Sequence, residues 1–552
     1  MEYRLPLQQF LSRVAAHPDK IYLHQPKNRM WRTLTWAEVD DQARRIASGL
    51  LAQGYQPGDR IGILAKNCAE WFIADIAIIM AGMISVPIYT TAGVQTIDHV
   101  LTHSNMKAIF VGKLDSTDAA QQTINNRVLP IAMPYPTIDA QVHWNTWLGD
   151  YPPLQNLAEP APQDTMTLVY TSGSTGVPKG VVLSHKNIAA ASDCTADIVA
   201  MKVDDRCISY LPLAHVVERS ALEWTSIYGG AEVFFTESLD NFIEDICYAQ
   251  PTLFISIPRL WTKFQTEILA KLPEKKLQRL LRIPLVGSLV ARKIRKGLGL
   301  NKCRLAASGS APISLGVLQW YSRLGINISE GWGMTETAGL SCATIPFDKA
   351  LLGTIGRQLS CVEMELSEQG EILIRGEAVF SEYYQNPDIT AEAFTEDWFH
   401  TGDLAEVDQN GAYKIIGRAK EQFKTGKGKY VSPAPIESML GRNTDIEQAC
   451  VLGSGRKQPI VIVVLGDHLH TGSETGREFI HQGLLTTLSE VNNELESHQR
   501  LDHLIVSEEM WTVENELLTP TLKIRRSRLE QRYEHFIEAE LEELVIWQTE
   551  LD

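Results

Sequence analysis

The chain is poor in the features that would cross-link it or tie it to a metal. Its eight cysteines are Cys68, Cys194, Cys207, Cys247, Cys303, Cys342, Cys361 and Cys450. None forms a Cys-x-x-Cys pair, and no close Cys/His cluster has zinc spacing. Most sit among apolar neighbours, so buried free thiols are expected. Basic charge is also short: 51 Lys and Arg stand against 67 Asp and Glu, a net charge of −16. General nucleic-acid binding needs a basic footprint and is not expected, whereas one local cationic site for an anionic ligand remains compatible with this balance. The first residues, Met-Glu-Tyr-Arg-Leu-Pro, have no secretory pattern, and with the unpaired cysteines they predict a reducing cytoplasmic setting. The most apolar window, Trp71–Tyr89, is interrupted by Asp75, Gly82 and Pro87. It reads as a buried helix ending near Gly82 and then a strand, not as a membrane span. There is no internal repeat and no long low-complexity segment.

What is present is ordinary soluble-protein material: 552 residues, 44% hydrophobic and 21% charged. That length predicts about two to four domains with ample core. Thr35-Trp-Ala-Glu38 is a capping box, followed by Val39, Ala43, Ile46 and Leu50 at helical spacing and by Gly54. Strands at Arg60–Leu64, Ile84–Tyr89 and Ala108–Val111 alternate with helices, an α/β pattern with largely parallel, buried strands. Asp150–Asp164 reads as a loop. Ala231–Phe235, Leu253–Ser256, Cys303–Ala307 and Ile326–Ser329 read as further strands. From Gly353 to about Ile416, short alternating strands such as Glu371–Ile374 and Tyr413–Ile416 predict a smaller β-rich subdomain. A compact α/β tail follows, ending in an acidic helix over about Ser527–Glu550. In Arg282–Lys302, Leu285, Val286, Leu289, Val290 and Ile294 are interleaved with or followed by Arg292, Lys293, Arg295 and Lys296. Such a basic amphipathic helix either lies on an anionic bilayer or is a solvated outer face.

Residues 170–180 read Tyr-Thr-Ser-Gly-Ser-Thr-Gly-Val-Pro-Lys-Gly, between apolar runs at Thr167–Tyr170 and Val181–Leu183 that read as strands. Glycine lets a loop turn its N–H groups toward an anion, Thr171, Ser172, Ser174 and Thr175 add hydroxyl donors, and Lys179 adds a cation. This is either a phosphate cradle or a flexible Gly/Ser linker, and it lacks the Gly-x-x-x-x-Gly-Lys-Ser/Thr spacing of a Walker A loop.

Four more motifs follow in order: Gly331-Trp-Gly-Met-Thr-Glu336, His400-Thr-Gly-Asp403, Gly417-Arg-Ala-Lys420 and Leu518-Thr-Pro-Thr-Leu-Lys523. The set resembles the acyl-adenylate-forming superfamily of AMP-binding enzymes, which includes acyl-CoA synthetases, adenylation domains of peptide synthetases and beetle luciferases. The resemblance runs from about Trp31 to about Arg526. Leu211-Pro-Leu-Ala-His-Val-Val-Glu-Arg219 and Leu518–Lys523 resemble the long-chain fatty acyl-CoA synthetases in particular. The resemblance implies an N-terminal AMP- and acyl-binding domain over 1–417, built of two α/β sheet subdomains and the β-rich one. It implies a hinge at 418–420 with Lys420 as the hinge position, and a small mobile α+β domain over 421–552.

It also implies a reaction. Joining a carboxylate to a thiol in water is uphill, and ATP drives it when the carboxylate first attacks the α-phosphate to give acyl-AMP and pyrophosphate. A thiol, here that of CoA, then displaces AMP. Thr171, Ser172, Gly173, Ser174, Thr175, Gly176 and Lys179 would hold the β- and γ-phosphates. Glu336 is a hard oxygen ligand suited to Mg²⁺, and Thr335 can donate to the α-phosphate. Gly331, Trp332, Gly333 and Met334 would form one wall of the adenine slot, with the Trp332 face against the base, where many relatives carry Tyr. Ser308, Gly309, Ser310, Ala311 and Pro312 would form the other. Asp403 fits the ribose hydroxyls, with Arg418 sharing that task. Lys523 would be the catalytic cation at the α-phosphate. Lys424, Gly426 and Gly428 would face CoA in the second half-reaction, although Lys424-Thr-Gly-Lys-Gly-Lys429 reorders the usual pattern. His215 would border the acyl pocket and guide the thiol, or is a satisfied core histidine. Trp224 and Gly229, with Tyr228, would line an acyl tunnel, or are core residues.

Taken singly, Glu336 reads as a cap, Asp403 as a turn residue and Lys523 as a solvated lysine; their shared order reverses each reading. The expected partners are a fatty acid, ATP and CoA, with peripheral membrane contact through 282–302 and a homodimer as further options. An acyl-AMP ligase that loads a carrier-protein thiol shares nearly every motif, and a luciferase-type oxidase shares the adenylation core. A non-catalytic nucleotide-binding relative is opposed by intact Lys179, Glu336, Asp403, Arg418 and Lys523.

Overall fold

A computed structural model describes residues 3–550 except 125–126, 173–176, 444, 467–468, 470–473, 514, 520–522 and 540. The N-terminal capping box forms as the spacing requires. Thr35 Oγ1 accepts from the Glu38 N–H at 3.2 Å and Glu38 accepts from the Thr35 N–H at 2.7 Å, opening the helix Trp36–Ala52. Val39, Ala43, Ile46 and Leu50 are fully buried on its inner face. The helix Ala69–Met80, apolar but for Glu70 and Asp75, is buried on every side.

These helices cover a seven-stranded sheet in the spatial order Val142–His143, Leu129–Ala132, Ala108–Gly112, Arg60–Ala65, Ile84–Pro87, Thr165–Ser172 and Pro178–Ser184. All neighbours are parallel except the last pair, which is antiparallel and carries Thr171 and Lys179. A four-stranded sheet, Arg206–Ser209, Glu232–Phe235, Ile21–Lys27 and Met30–Thr35, delivers the chain to the segment around His215. A five-stranded sheet runs Leu253–Ser256, Leu305–Ser308, Ile328–Met334, Gly339–Ala343 and Arg357–Gln358. The β-rich unit contains Val362–Leu366, Glu371–Gly376, Trp398–Val407, Phe394–Thr395 and Tyr413–Arg418. The C-terminal part has its own core around a four-stranded sheet, Ile446–Leu452, Ile460–Leu465, His503–Val506 and Val545–Trp547.

Three expectations change. The acidic terminal helix is not continuous: helices at Arg526–Arg532 and Glu534–Glu538 give way to the strand Val545–Trp547, which pairs in parallel with Leu504–Val506. Its apolar run gains more from a ladder and burial against that sheet than from an exposed helix. The strand expected at Ile326–Ser329 runs instead over Ile328–Met334 and takes in the Gly331–Met334 motif, which leaves the parallel neighbour and pairs antiparallel with Gly339–Ala343. The basic amphipathic segment condenses to the helix Val286–Gly297. Among the described residues all eight cysteines are free, and no helix is long and apolar enough to cross a membrane.

Candidate active site

The site-forming residues sit where strands end or change partner, as open α/β sheets favour. Ser308 ends its strand with a buried Oγ that has no hydrogen-bond partner within the protein, and Gly309, Ser310, Ala311 and Pro312 turn away from it. On the adjacent strand Gly333 passes so close to the neighbouring chain that a Cβ would lie 1.7 Å from the Gly339 carbonyl oxygen; only glycine fits there. Trp332, half-buried beside it, donates its indole N–H to Asp403 Oδ2 at 2.8 Å. Asp403 pairs across the β-rich sheet with Arg418, whose Nε donates to Oδ1 at 2.7 Å. Trp332, Asp403 and Arg418 therefore form one rigid corner. Each carboxylate oxygen keeps a further lone pair for a diol. This couples two motifs that the sequence assigns separately to base and ribose.

Beside this corner, Thr335-Glu336-Thr337 forms a single 3₁₀ turn. Glu336 is buried and accepts from the Tyr383 hydroxyl at 3.0 Å, while its own carbonyl accepts from the Phe380 N–H. Burial raises its carboxyl; the Tyr383 hydrogen bond and the positive charges of Arg418 and Lys523 pull the other way. No group of three or more His, Cys, Asp or Glu among the described residues could hold a metal by itself. A lone buried carboxylate that shares Tyr383 with Lys179 nevertheless fits Mg²⁺, which binds through one or two carboxylates and completes its shell with phosphate oxygens and water. Lys179 Nζ lies 5.2 Å from the centroid of the Tyr383 ring, within cation–π range. Desolvation and then the charge of Lys420 lower its ammonium, so Lys420 reaches the same space. Thr171 faces Lys179 across the hairpin and Ser172 faces Pro178. Gly173, Ser174, Thr175 and Gly176 lie outside the described residues, as does the Ser172 side chain.

Lys523 enters from the C-terminal part. Its N–H donates to Thr519 Oγ1 and its carbonyl accepts from the Thr519 N–H; residues 520–522 lie outside the described set. The residue is exposed and lies within electrostatic reach of Arg418, Asp403, Glu336 and Glu421. Desolvation lowers its ammonium, Arg418 lowers it further, and Asp403, Glu336 and Glu421 oppose them. His215 senses Lys523 too: desolvation first and the lysine second push its imidazole down to about 4, so it is neutral at pH 7. Its Nδ1 accepts from the Val217 N–H at 3.2 Å, which assigns the ring proton to Nε2. Lys523 thus lies within electrostatic reach of Arg418, Asp403, Glu336 and His215.

Other expected residues are not brought there. Lys424 lies over the Tyr430 ring, Gly426 donates to the Arg456 carbonyl, and Gly428 closes a turn onto Thr425. Every contact of 424–429 among the described residues runs within the C-terminal part. Trp224 is buried on a π-helical stretch, Arg219–Trp224, with its indole N–H unpartnered. Gly229 is pressed against Met201, where a Cβ would lie 2.4 Å from Cγ, and Tyr228 donates its hydroxyl to the Arg4 carbonyl. Both arrangements are close packing.

Sequence reasoning missed Tyr383, Glu421 and Glu218. Tyr383 sits in Glu382–Tyr384, which hydrogen-bonds along the edge of Pro178–Ser184 through the Val182 and Tyr384 N–H groups; only that pairing carries it to Glu336 and Lys179. Tyr383→Phe removes one hydrogen bond to a carboxylate and should raise KM for Mg-ATP roughly tenfold with kcat less affected, read from initial rates. Glu218 clamps the segment before His215, accepting from the Tyr210 N–H at 2.9 Å and Asn67 Nδ2 at 3.3 Å. Burial raises its carboxyl from 4.5 to about 8. The folded value exceeds the unfolded one, so its contribution to stability is complete below about pH 4.5 and is lost as pH rises through about 8. Glu218→Gln should flatten that decline in a series of thermal melts.

Comparison with known proteins gives a consistent picture. The model of the AMP-binding enzyme family matches residues 10–384, and that of the AMP-binding enzyme C-terminal domain matches 421–544. A long-chain-fatty-acid–CoA ligase of Mycobacterium bovis is 30% identical over 95% of this chain and 94% of its own length. A long chain acyl-CoA synthetase of Arabidopsis thaliana is 30% identical over 92% and 86%. In fold, the chain superposes on an anthranilate CoA ligase solved with anthranoyl-AMP at a TM-score of 0.80 and 20% identity, covering 97% of this chain and 98% of that one. It superposes on the adenylation domain of a carboxylate reductase from Mycobacterium chelonae at 0.81 and 21%, covering 97% and 91%.

Proposed function

The chain belongs to the AMP-binding enzyme family, and from that membership we propose that it is an ATP-dependent fatty acid–CoA ligase acting on medium to long acyl chains. The observation that carries the proposal is the hydrogen-bonded corner of Trp332, Asp403 and Arg418, with the charge of Lys523 from the C-terminal part felt at Glu336 and His215. In the first half-reaction a carboxylate oxygen attacks the α-phosphorus of ATP, the bond to the β-bridging oxygen breaks, and pyrophosphate leaves. Thr171–Gly176 and Lys179 hold the β- and γ-phosphates. Trp332 and Ser308–Pro312 enclose adenine, and Asp403 with Arg418 holds the ribose. Lys523 stabilises the charge that grows on the α-phosphoryl oxygens, and the folded corner spares it reorganisation. When bound at Glu336, Mg²⁺ supplies further neutralisation of the triphosphate.

In the second half-reaction the CoA thiolate attacks the acyl carbonyl carbon and AMP departs. Neutral His215 borders that carbon, whereas Gly229, pressed against Met201, is core packing and drops out of the acyl-channel wall. Rotation about 418–420 withdraws Lys523 and turns Lys424, Gly426 and Gly428 to the pantetheine arm; Lys424, Lys427 and Lys429 suit the phosphates of CoA. The charge coupling of Lys523 with Arg418, Asp403 and Glu336, and the packing of Lys424 over Tyr430 within the C-terminal part, support the first of these two arrangements. A panel of fatty acids from short to long chain, read by pyrophosphate release with CoA or with holo acyl carrier protein as acceptor, tests the reading. Thioester formation on CoA is expected. Thioester on the carrier protein alone would make the enzyme an acyl-AMP ligase. No acid-dependent pyrophosphate release would remove the catalytic reading altogether.

A further inference from the structure

The helical crossover between Leu253–Ser256 and Leu305–Ser308 carries a surface that this chemistry leaves unused. Two helices, Glu274–Leu281 and Val286–Gly297, meet at a sharp corner. Their inner residues Leu277 and Ala291 are buried, and Leu281, Val290 and Ile294 pack against the same core. Outward, the corner exposes Ile283, Leu285, Val286 and Leu289, with Leu285 at 82% and Leu289 at 66%. Leu285 adopts φ +66°, a costly conformation for a branched residue, and its side chain gains no burial to offset it. A merely solvated face would show charge here, not four neighbouring apolar side chains.

Charge surrounds this apolar tip. Residues 275–302 contain nine Lys and Arg and no Asp or Glu, in a chain of net charge −16. Arg279, Arg282, Arg292, Lys293 and Lys296 are all exposed, and among the described residues none of them forms an ion pair. Arg295 is the exception in this row, since it donates to the Leu324 carbonyl and holds the helix to the body. An apolar tip ringed by unneutralised cations complements one kind of surface best: an interface with anionic headgroups above an apolar interior.

We propose that 279–296 is a peripheral docking surface for an anionic phospholipid bilayer. Ile283, Leu285, Val286 and Leu289 enter the headgroup layer, while Arg279, Arg282, Arg292, Lys293 and Lys296 pair with lipid phosphates. The docking does not depend on the proposed reaction and has its own readout. The full chain is sedimented with vesicles of phosphatidylcholine alone or mixed with phosphatidylglycerol, at low and high salt. Binding is expected only to the mixed vesicles and is lost at high salt, where the field is screened. Arg292→Glu combined with Lys293→Glu should weaken binding by more than about tenfold. Leu285→Ser combined with Leu289→Ser should weaken it by about tenfold or more. Both variants should keep the parent's thermal midpoint and its pyrophosphate release from a soluble acid. No binding at low salt, equal binding to phosphatidylcholine alone, or wild-type binding by both variants would each overturn the proposal.

Discussion

Lys523→Ala is expected to lower acyl-AMP formation by about a hundred- to a thousandfold, the usual cost of removing one preorganised charge-stabilising donor. Thiolysis of supplied acyl-AMP should be largely spared, because the lysine belongs to the first arrangement of the cleft. Fatty-acid-dependent pyrophosphate exchange reads the first step, and thioester formation from synthetic acyl-AMP with CoA reads the second. Equal loss in both assays would contradict the assignment. The protonation state adds a second signature. Desolvation and Arg418 lower the Lys523 ammonium below its ordinary 10.5. The adenylation rate should therefore fall on the alkaline side before a free lysine would titrate. Lys523→Arg should remove that limb, since a guanidinium keeps its proton.

Arg219→Met should cost about 3–5 kcal/mol of stability, because it strands a buried carboxylate. Arg219 grips Asp75 with Nη2 at 2.6 and 2.9 Å and with Nε at 3.3 Å, and Nη1 reaches Thr167 Oγ1. Arg219 and Asp75 are almost completely buried. The contact ties the helix that follows His215 to the buried helix Ala69–Met80 and to the strand that leads to Thr171. Glu223 is more distant, 4.0 Å from Arg219, and burial raises its carboxyl, which weakens its claim on the guanidinium. Asp75→Leu combined with Arg219→Met should recover most of the loss, as apolar replacement of a buried pair commonly does. Denaturant melts of the two single variants and the pair close the cycle. A loss below about 1 kcal/mol for Arg219→Met would match an exposed pair and refute the argument.

Much of this protein was legible along the chain. Thr35 and Glu38 were three residues apart, so the capping box could be read as a unit, and the helices and parallel strands of the first half followed from spacing. The ordered motifs named the cleft residues Lys179, Glu336, Asp403, Arg418 and Lys523. Errors came where a local window was ambiguous. Val545–Trp547 ends an acidic, helix-compatible run, and its pairing with Leu504–Val506 is invisible within that run. Gly331–Met334 has the composition of a loop, yet its backbone is spent on a ladder with Gly339–Ala343.

Residue order and hydrophobic spacing were sufficient for the identity of the elements and the chemistry of the donors, since both depend on neighbours a few positions away. They could not state that Trp332 would bond to Asp403, that Tyr383 would hold Glu336 beside Lys179, or that Lys523 would come within electrostatic reach of His215 while Lys424 stayed with Gly455 and Tyr430. Those pairings join segments from different sheets and from the two parts of the chain. Their geometry is set by which strands become neighbours and how the small part docks, and side-chain hydrogen bonds act only over about 3 Å.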